Sequence, residues 1–257
     1  MSEVAIVSAG WLAIAGLGPG DDLLVTPEVT AALEQATDVV GYIPYVRRVA
    51  PRVGLNLHES DNRVEIDRAR HALVLAAQGR RVVVVSSGDP GVFAMASAVF
   101  EAVEQGDPGW RELDIRVLPG VTAMLAAAAR VGAPLGHDFC AINLSDNLKP
   151  WSLVARRLAL AVEADFAIAL YNPRSRARPD GFAQVLNLLR ASCAPERVLI
   201  FARAVSTPEE EIRVVPLSEA RPEMADMRTV VLIGSSHTRI IARAGRPIVY
   251  TPRSVSA

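Results

Sequence analysis

Four consecutive valines, Val82–Val85, run straight into Ser86-Ser87-Gly88-Asp89-Pro90-Gly91. An unbroken β-branched run bounded by turn residues reads as a strand buried on both faces, as in a parallel sheet covered by helices. The turn behind it packs two glycines, a proline and an acid into Gly88–Gly91. A backbone bent this tightly at the carboxyl end of a parallel strand is where α/β proteins place a ligand. The chain repeats the device at Gly16-Leu17-Gly18-Pro19-Gly20 and at Pro119-Gly120-Val121-Thr122-Ala123. Three such loops on one face predict a cleft lined by backbone, and hence a small-molecule enzyme.

The rest of the chain supplies strands and helices in alternation. Leu12–Leu17, Asp38–Tyr42, Leu55–Leu57, Val82–Ser86 and Ile115–Leu118 read as strands. Between them, helices are predicted from Pro27 to about Thr37, over Val64–Gln78 and over Ala94–Glu104, with Asp107-Pro108-Gly109 as a loop. Thr26 is a suitable N-cap with Pro27 at the first helical position, and Gly79 closes the second helix. This rhythm argues for a parallel sheet. Pro119-Gly120 breaks it, so the domain boundary is placed there. The expected organisation is an extension over 1–10, an N-terminal α/β domain over 11–119 and a C-terminal α/β domain over 120–257. In the second half, helices are predicted at Thr122–Val131, Trp151–Val162 and Gly181–Ala191, and strands at Phe139–Leu144, Phe166–Tyr171 and Val198–Ala202. Ile212–Pro216, Thr229–Ile233 and Pro247–Tyr250 then follow with little helix between them, which predicts a mixed sheet with antiparallel edges.

Composition narrows the partners. The 257 residues carry 27 basic and 28 acidic side chains, a net charge of −1, and no Lys/Arg block, so no nucleic-acid partner is expected. Lys149 is the only lysine. An arginine-dominated set of cations suits bidentate recognition of carboxylates as well as a codon bias. Cys140 and Cys193 are far apart and the histidines scattered, so neither a disulfide framework nor a metal site is predicted, in keeping with a reduced cytoplasm. The apolar N-terminus lacks a basic flank and reads as a first buried strand rather than a leader. No run reaches the ~18 apolar residues of a membrane span.

The Gly16-Leu17-Gly18 loop departs from a dinucleotide fingerprint. Asp21 stands where that motif has its third glycine, Pro19 removes an N–H, and Asp21 and Asp22 repel a pyrophosphate. It is either a tight strand-to-helix turn or a wall of the cleft. Asp89 either caps the following helix or accepts from an amine or a ribose, and Thr122 either caps its helix or meets a ligand.

Five segments, taken together and in order, resemble the tetrapyrrole methylases, the class III S-adenosylmethionine methyltransferases. They are Gly-Leu-Gly-Pro-Gly at 16–20, Gly-Tyr-x-x-Tyr-Val at 41–46, Ser-Gly-Asp-Pro-Gly-Val-Phe at 87–93, Pro-Gly-Val-Thr-Ala at 119–123 and Leu-Tyr-Asn-Pro-x-Ser at 170–175. The likeness covers about residues 11–250. Leu144-Ser145-Asp146, Pro150-Trp151 and Tyr171–Ser175 are most similar to the ring-contracting branch, which methylates C17 of a precorrin in cobalamin synthesis; Asn147 and Lys149 depart from that branch's pattern.

The resemblance implies two α/β domains, a parallel sheet in the first and a mixed sheet in the second, with S-adenosylmethionine folded in a cleft between them and S-adenosylhomocysteine as product. It implies that Gly88, Asp89, Pro90 and Val92 hold the amino-acid end of the cofactor. Thr122 and Ala123 lie near the sulfonium or ribose, and Tyr171, Asn172, Ala204 and Val205 frame the adenine. Pro19 borders the reaction chamber. The substrate is a polycarboxylate macrocycle, for which Arg47, Arg48, Arg63 and Arg174 are the first candidates, with Tyr42 and Tyr45 flanking a flat ring. Asp146 is the candidate base for ring contraction, with Asp61 and Glu59 behind it. The family is usually dimeric, and the Ile240–Tyr250 segment is a candidate interface. Competing readings are the same fold with another acceptor (a cobalt-bearing ring, another corrin carbon, an RNA ribose, a modified histidine), an NAD-dependent oxidoreductase, and a non-enzymatic sensor.

Overall fold

The computed structural model describes residues 10–61, 64–175 and 179–254. The chain divides into two units, one ending at Thr122 and the other beginning at Ala123.

The first unit is built from β1 (Trp11–Gly16), α1 (Pro27–Gln35), β2 (Asp38–Tyr42), α2 (Ile43–Val46), β3 (Asn56–Ser60), α3 (Glu65–Ala77), β4 (Arg81–Ser86), α4 (Met95–Gln105) and β5 (Asp114–Leu118). Its five strands form one parallel sheet in the order β3-β2-β4-β1-β5. The valine run sits at the centre of it, and Val82–Val85 are fully buried. Burying each such side chain stabilises the fold by about 1.5–3 kcal/mol. The period of a strand sends Val82 and Val84 to one face, against Ala69, Leu73 and Ala76 of α3 and Val99 of α4. Val83 and Val85 go to the other, against Val29 of α1 and Val46 of α2.

These two faces follow from the connections. Those running from β1 to β2 and from β2 to β3 move one way along the sheet and carry α1 and α2. Those running from β3 to β4 and from β4 to β5 move the other way and carry α3 and α4. Right-handed crossovers require this division. The neighbours β2 and β4 therefore send their chains in opposite directions, which makes their carboxyl ends the switch point of the sheet. Local chemistry sets the helix limits. Thr26 Oγ accepts from the Val29 N–H at 3.3 Å, with Pro27 next in line. Gly79 (φ +83°) ends α3. The short α2 was not anticipated from sequence, and Pro108–Glu112 closes into a 3-10 turn capped by Asp107 where a plain loop was expected.

The second unit comprises α5 (Ala123–Val131), β6 (Gly132–Ala133), β7 (Phe139–Asn143), α6 (Trp151–Glu163), β8 (Ala167–Tyr171), α7 (Gly181–Ser192), β9 (Val198–Arg203), β10 (Glu211–Pro216), β11 (Thr229–Ile233), β12 (Arg239–Ile241) and β13 (Ile248–Tyr250). The main sheet runs β10-β9-β11-β8-β7. Only β7 and β8 pair in parallel; the other pairings are antiparallel. The sheet is mixed, as expected, but its antiparallel character is not confined to the edges, because β11 lies inside between β9 and β8. All five β11 residues are buried, and the apolar run Val230–Ile233 needs that central place. The segment around Pro247–Tyr250 does not join this sheet. It pairs instead with β12 and β6 in a separate sheet ordered β12-β13-β6. The core around Leu158, Leu170, Leu186 and Leu199 includes an edge-to-face pair, Phe182 and Phe201, at 5.8 Å.

Candidate functional site

In the first unit, the loops after β1, β4 and β5 leave three neighbouring strand ends and are knotted together by backbone. Gly18 and Gly88 both adopt positive φ (+66°) and exchange hydrogen bonds of 3.2 and 2.9 Å. Glycine supplies that conformation without strain. A Cβ on Gly16 would stand 2.5 Å from the Gly88 carbonyl oxygen, and one on Gly120 would stand 2.2 Å from the same atom. Three glycines, far apart in sequence, thus meet where no side chain fits.

Asp89 ties the knot. One carboxylate oxygen accepts from the Gly91 N–H at 2.8 Å and the other from the Gly120 N–H at 3.0 Å. Of the two roles weighed for it, capping of the following helix is not the one observed: α4 starts behind Ala94 without a side-chain cap. Pro90 is buried and accepts through its carbonyl from the Ala96 N–H, while the Val92 N–H closes the turn on the Asp89 carbonyl at 3.3 Å. Phe93 follows at φ +55°, a left-handed conformation that costs a side-chain residue about 1–3 kcal/mol and that folds retain at functional sites. Pro19 is half-buried in the knotted loop, and Thr122 is buried at the end of the unit.

Around this edge the candidate substrate residues separate. Tyr42 and Tyr45 pack edge to face at 5.3 Å, at the end of β2 and in α2. Burial pushes the Tyr45 phenol up, reinforced by Tyr42. The Arg48 guanidinium donates to the carbonyls of Gly18 (3.0 Å) and Leu17 (2.6 Å), which holds the first loop. Arg47 pairs with Glu59 at 3.2 Å in the open. Arg63 lies outside the described residues.

In the second unit, two positive-φ residues follow directly on strand ends, Asn172 (+52°) after β8 and Ala204 (+47°) after β9, and a third, Ser206 (+63°), lies two residues further on. Asn143 at the end of β7 accepts through Oδ1 from Asn172 Nδ2 at 3.0 Å and from the Ser145 N–H at 2.9 Å. The Tyr171 hydroxyl accepts from the Met124 N–H of α5 at 3.0 Å, one residue beyond Ala123. The bend at Ala204-Val205 is held from beneath. Glu210 accepts from the Ser206 N–H and from Arg130 Nε, both at 2.8 Å, and Arg130 also donates to Ser206 Oγ at 3.2 Å. Burial raises the Glu210 carboxyl, but the Arg130 and Ser206 hydrogen bonds and the charges of Arg130 and Arg246 outweigh it and bring the net shift below the usual range. Asp146 is exposed in the segment after β7, and Arg174 donates to the Pro179 carbonyl at 3.1 Å.

Sequence reasoning missed Asn143, Arg130 and Glu210, none of which stands in a recognisable motif. It also missed Arg68, for which a signal existed: this arginine lies on the apolar stripe of α3 with Ala69, Ala72, Leu73 and Ala76, and is 5% exposed.

Two α/β units with ligand-type loops at their strand ends define a class, and the chain belongs to it: the tetrapyrrole (corrin/porphyrin) methylases, whose family pattern it matches over residues 12–221. Within that class the chain is 53% identical over 245 residues to precorrin-3B C(17)-methyltransferase of Sinorhizobium sp, covering 95% of this chain and 96% of that one. It is 37% identical over 230 residues to a probable cobalt-factor III C(17)-methyltransferase of Salmonella typhimurium, covering 89% and 94%. The crystal structure of the methyltransferase CobJ is similar at a TM-score of 0.90 and 66% identity, over 95% of this chain and all of that one.

Proposed function

We propose that this protein transfers a methyl group from S-adenosylmethionine to C17 of precorrin-3B, with contraction of the ring, in cobalamin synthesis. The observation that carries the reading is the knot at Gly16, Gly88 and Gly120. It presents main-chain groups rather than side chains at the carboxyl edge of a parallel sheet, and the cradle it forms suits a zwitterionic, amine-bearing donor. Similarity to the Sinorhizobium enzyme supports the choice of acceptor.

The donor supplies an activated methyl on a sulfonium, which passes to a nucleophilic ring carbon as the sulfur takes back its bonding pair. What the chain contributes is alignment, worth about 7–11 kcal/mol of barrier when two reactants are held in line. Gly88, Asp89, Pro90 and Val92 fix the amino-acid end of the donor, with Asp89 holding the turn in shape. Thr122 and Ala123 border the ribose and sulfonium. Tyr171, Asn172, Ala204 and Val205 frame the adenine, with backbone strain retained at Asn172 and Ala204. Pro19 and Tyr42 bound the acceptor, and Asp146 accepts the hydroxyl proton that ring contraction releases. The acceptor is a small molecule, and the enzyme acts in the cytoplasm as a homodimer. Ile240 and Ile241 of β12, 47% and 48% exposed, support a contact with a second copy. Among the described residues no helix is long and apolar enough to cross a membrane.

The test is incubation with S-adenosylmethionine and either precorrin-3B or its cobalt-bearing counterpart, with mass analysis of the products. One added methyl on the cobalt-free ring, with contraction, is expected. Turnover of the cobalt-bearing ring alone would move the protein to the second reading, which the Salmonella likeness favours. Binding without turnover of either would refute both.

A further inference from the structure

The first unit holds a buried cation whose counter-ion is absent among the described residues. Arg68 is 5% exposed on the core-facing side of the first turn of α3. Its guanidinium offers five N–H donors. Nε donates to Ser60 Oγ at 2.7 Å, Nη2 to the Asp61 carbonyl at 2.6 Å, and Nη1 to the Met95 thioether at 3.4 Å. No carboxylate of the described residues lies within 4.0 Å of it; the one carboxylate that bears on it electrostatically is that of the exposed Glu65, three residues earlier on the same helix, alongside the Tyr45 and Tyr42 phenols. A thioether is a weak acceptor, and two N–H groups are left over. Taking a guanidinium out of water is costly unless it is paired.

Other arginines of this unit differ. Arg52 directs Nη2 at the carbonyls of Leu33, Glu34 and Ala36, and Arg48 holds the carbonyls of Leu17 and Gly18, as arginines fastening a loop do.

A second orphan lies on the same face of the sheet. Ser86 Oγ, at the carboxyl end of β4, is buried without a hydrogen-bond partner among the described residues. The strand's alternation puts Ser86 on the side of Val82 and Val84, the side of Met95 and α3. Ser60, which Arg68 holds, donates in turn to the carbonyl of Gly41 near the end of β2. The Arg68 guanidinium thus binds at the carboxyl end of β3, beside β2, and Ser86 ends β4, so the two unsatisfied groups flank the β2–β4 switch point where doubly wound sheets take their ligands. Tyr42 and Tyr45 stand at the same end.

We propose that Arg68, with the Ser86 hydroxyl, forms a subsite for one carboxylate arm of the acidic macrocycle. This rests on the functional reading above and extends it to a residue of unit one that sequence had not marked. The carboxylate pairs with the free face of the guanidinium in a charge-assisted bond. Met95, a flexible thioether, is the cover it displaces.

The test uses the full chain and the variants Arg68→Met, Arg68→Lys and Ser86→Ala. Methyl transfer to precorrin-3B gives KM for each substrate, absorbance titration with uroporphyrin III gives pigment affinity without turnover, and calorimetry gives Tm. For Arg68→Met the expected result is a tenfold or larger rise in the precorrin KM and an equal loss of pigment affinity. The KM for S-adenosylmethionine stays within about twofold and Tm is unchanged or raised, because an apolar isostere removes an unpaired buried charge. Arg68→Lys falls between, and Ser86→Ala weakens the pigment a few-fold without lowering Tm. Pigment affinity unchanged in Arg68→Met overturns the subsite, as does a fall in Tm with both KM values rising together. Wild type that binds pigment but transfers no methyl refutes the enzymatic reading and leaves the titration to decide the subsite. Wild type that binds no pigment refutes both.

Discussion

Gly120→Ala is the sharpest probe of the glycine knot, because sterics alone act there: the backbone at Gly120 is not in the left-handed region. The added Cβ would stand 2.2 Å from the Gly88 carbonyl oxygen and 2.8 Å from that of Gly16, against the 3.4 Å at which ordinary contact begins. Both obstacles are backbone, so no rotamer change relieves them. The loop after β5 must retreat by roughly 1 Å. That retreat opens the bond from the Gly120 N–H to Asp89, a charge-assisted contact of about 1.5–3 kcal/mol, and strains the Gly18–Gly88 pair, at about 0.5–1.5 kcal/mol for each bond. The expected loss is about 3–5 kcal/mol. At about 2–4 °C per kcal/mol for a chain of this size, Tm falls by about 10 °C. Calorimetry reads the stability and equilibrium titration with S-adenosylmethionine reads the site, where at least tenfold weaker binding is expected. Gly181→Ala is the control: its Cβ meets only the Pro173 carbonyl at 3.8 Å, at the start of α7, so it should be neutral or gain up to about 1 kcal/mol. A Gly120→Ala protein that melts within about 3 °C of wild type and binds the donor normally would show that the loops are not knotted as described.

Four further outcomes follow from the same geometry. Asp89→Asn keeps one acceptor for two N–H groups and should lose about 1–3 kcal/mol in denaturant titration, with weaker donor binding. Ala204→Gly releases a left-handed alanine and should raise stability by about 1 kcal/mol while donor affinity falls; no gain in stability would refute the strain there. Asp38 is buried, and its carboxyl is held at about 2: burial pushes it up, but the hydrogen bonds from Arg80, His58 and Thr37 outweigh that. A depressed carboxyl stabilises fully above its unfolded value of 3.8 and loses that contribution as pH falls through about 2. Asp38→Asn should therefore cost about 2 kcal/mol at neutral pH relative to wild type, with the difference vanishing in acid unfolding below about pH 2. Glu210→Gln should show the same sign in a pH–stability series, a deficit at neutral pH that closes as acid protonates the wild-type carboxylate, together with a raised KM for S-adenosylmethionine at unchanged kcat.

What sequence could and could not reveal divides along one physical line. Val82–Val85 declared a buried strand because four β-branched side chains in a row suit only a position covered on both faces, and all of them are buried. The Gly-Pro-Gly and Pro-Gly loops declared turns because proline and glycine limit their own backbone, whatever lies around them. Such signals are local. The placing of β11 between β9 and β8 is not local: three buried strands of similar composition have no residue that states their order, which register and burial decide together. The meeting of Gly16, Gly88 and Gly120 is equally silent, since each glycine explains itself as a turn residue and only the folded sheet shows that all three exclude a Cβ from one spot. Arginines show the same limit at the level of the site. Arg47 and Arg48 drew attention by following Tyr42 and Tyr45, yet Arg47 lies open beside Glu59 and Arg48 holds carbonyls some thirty residues away. Arg68, set among alanines on a helix, was hidden by its company. In a chain with Lys149 as its only lysine, the kind of cation marks nothing; what separates one arginine from another is how many of its donors the fold has already satisfied. A count of partners per guanidinium, made after folding, is therefore the better guide to where a polyacid binds. By that count the subsite proposed for an acidic arm falls at Arg68, whose donors find only a hydroxyl, a carbonyl and a thioether, whereas Arg47 already has Glu59 beside it.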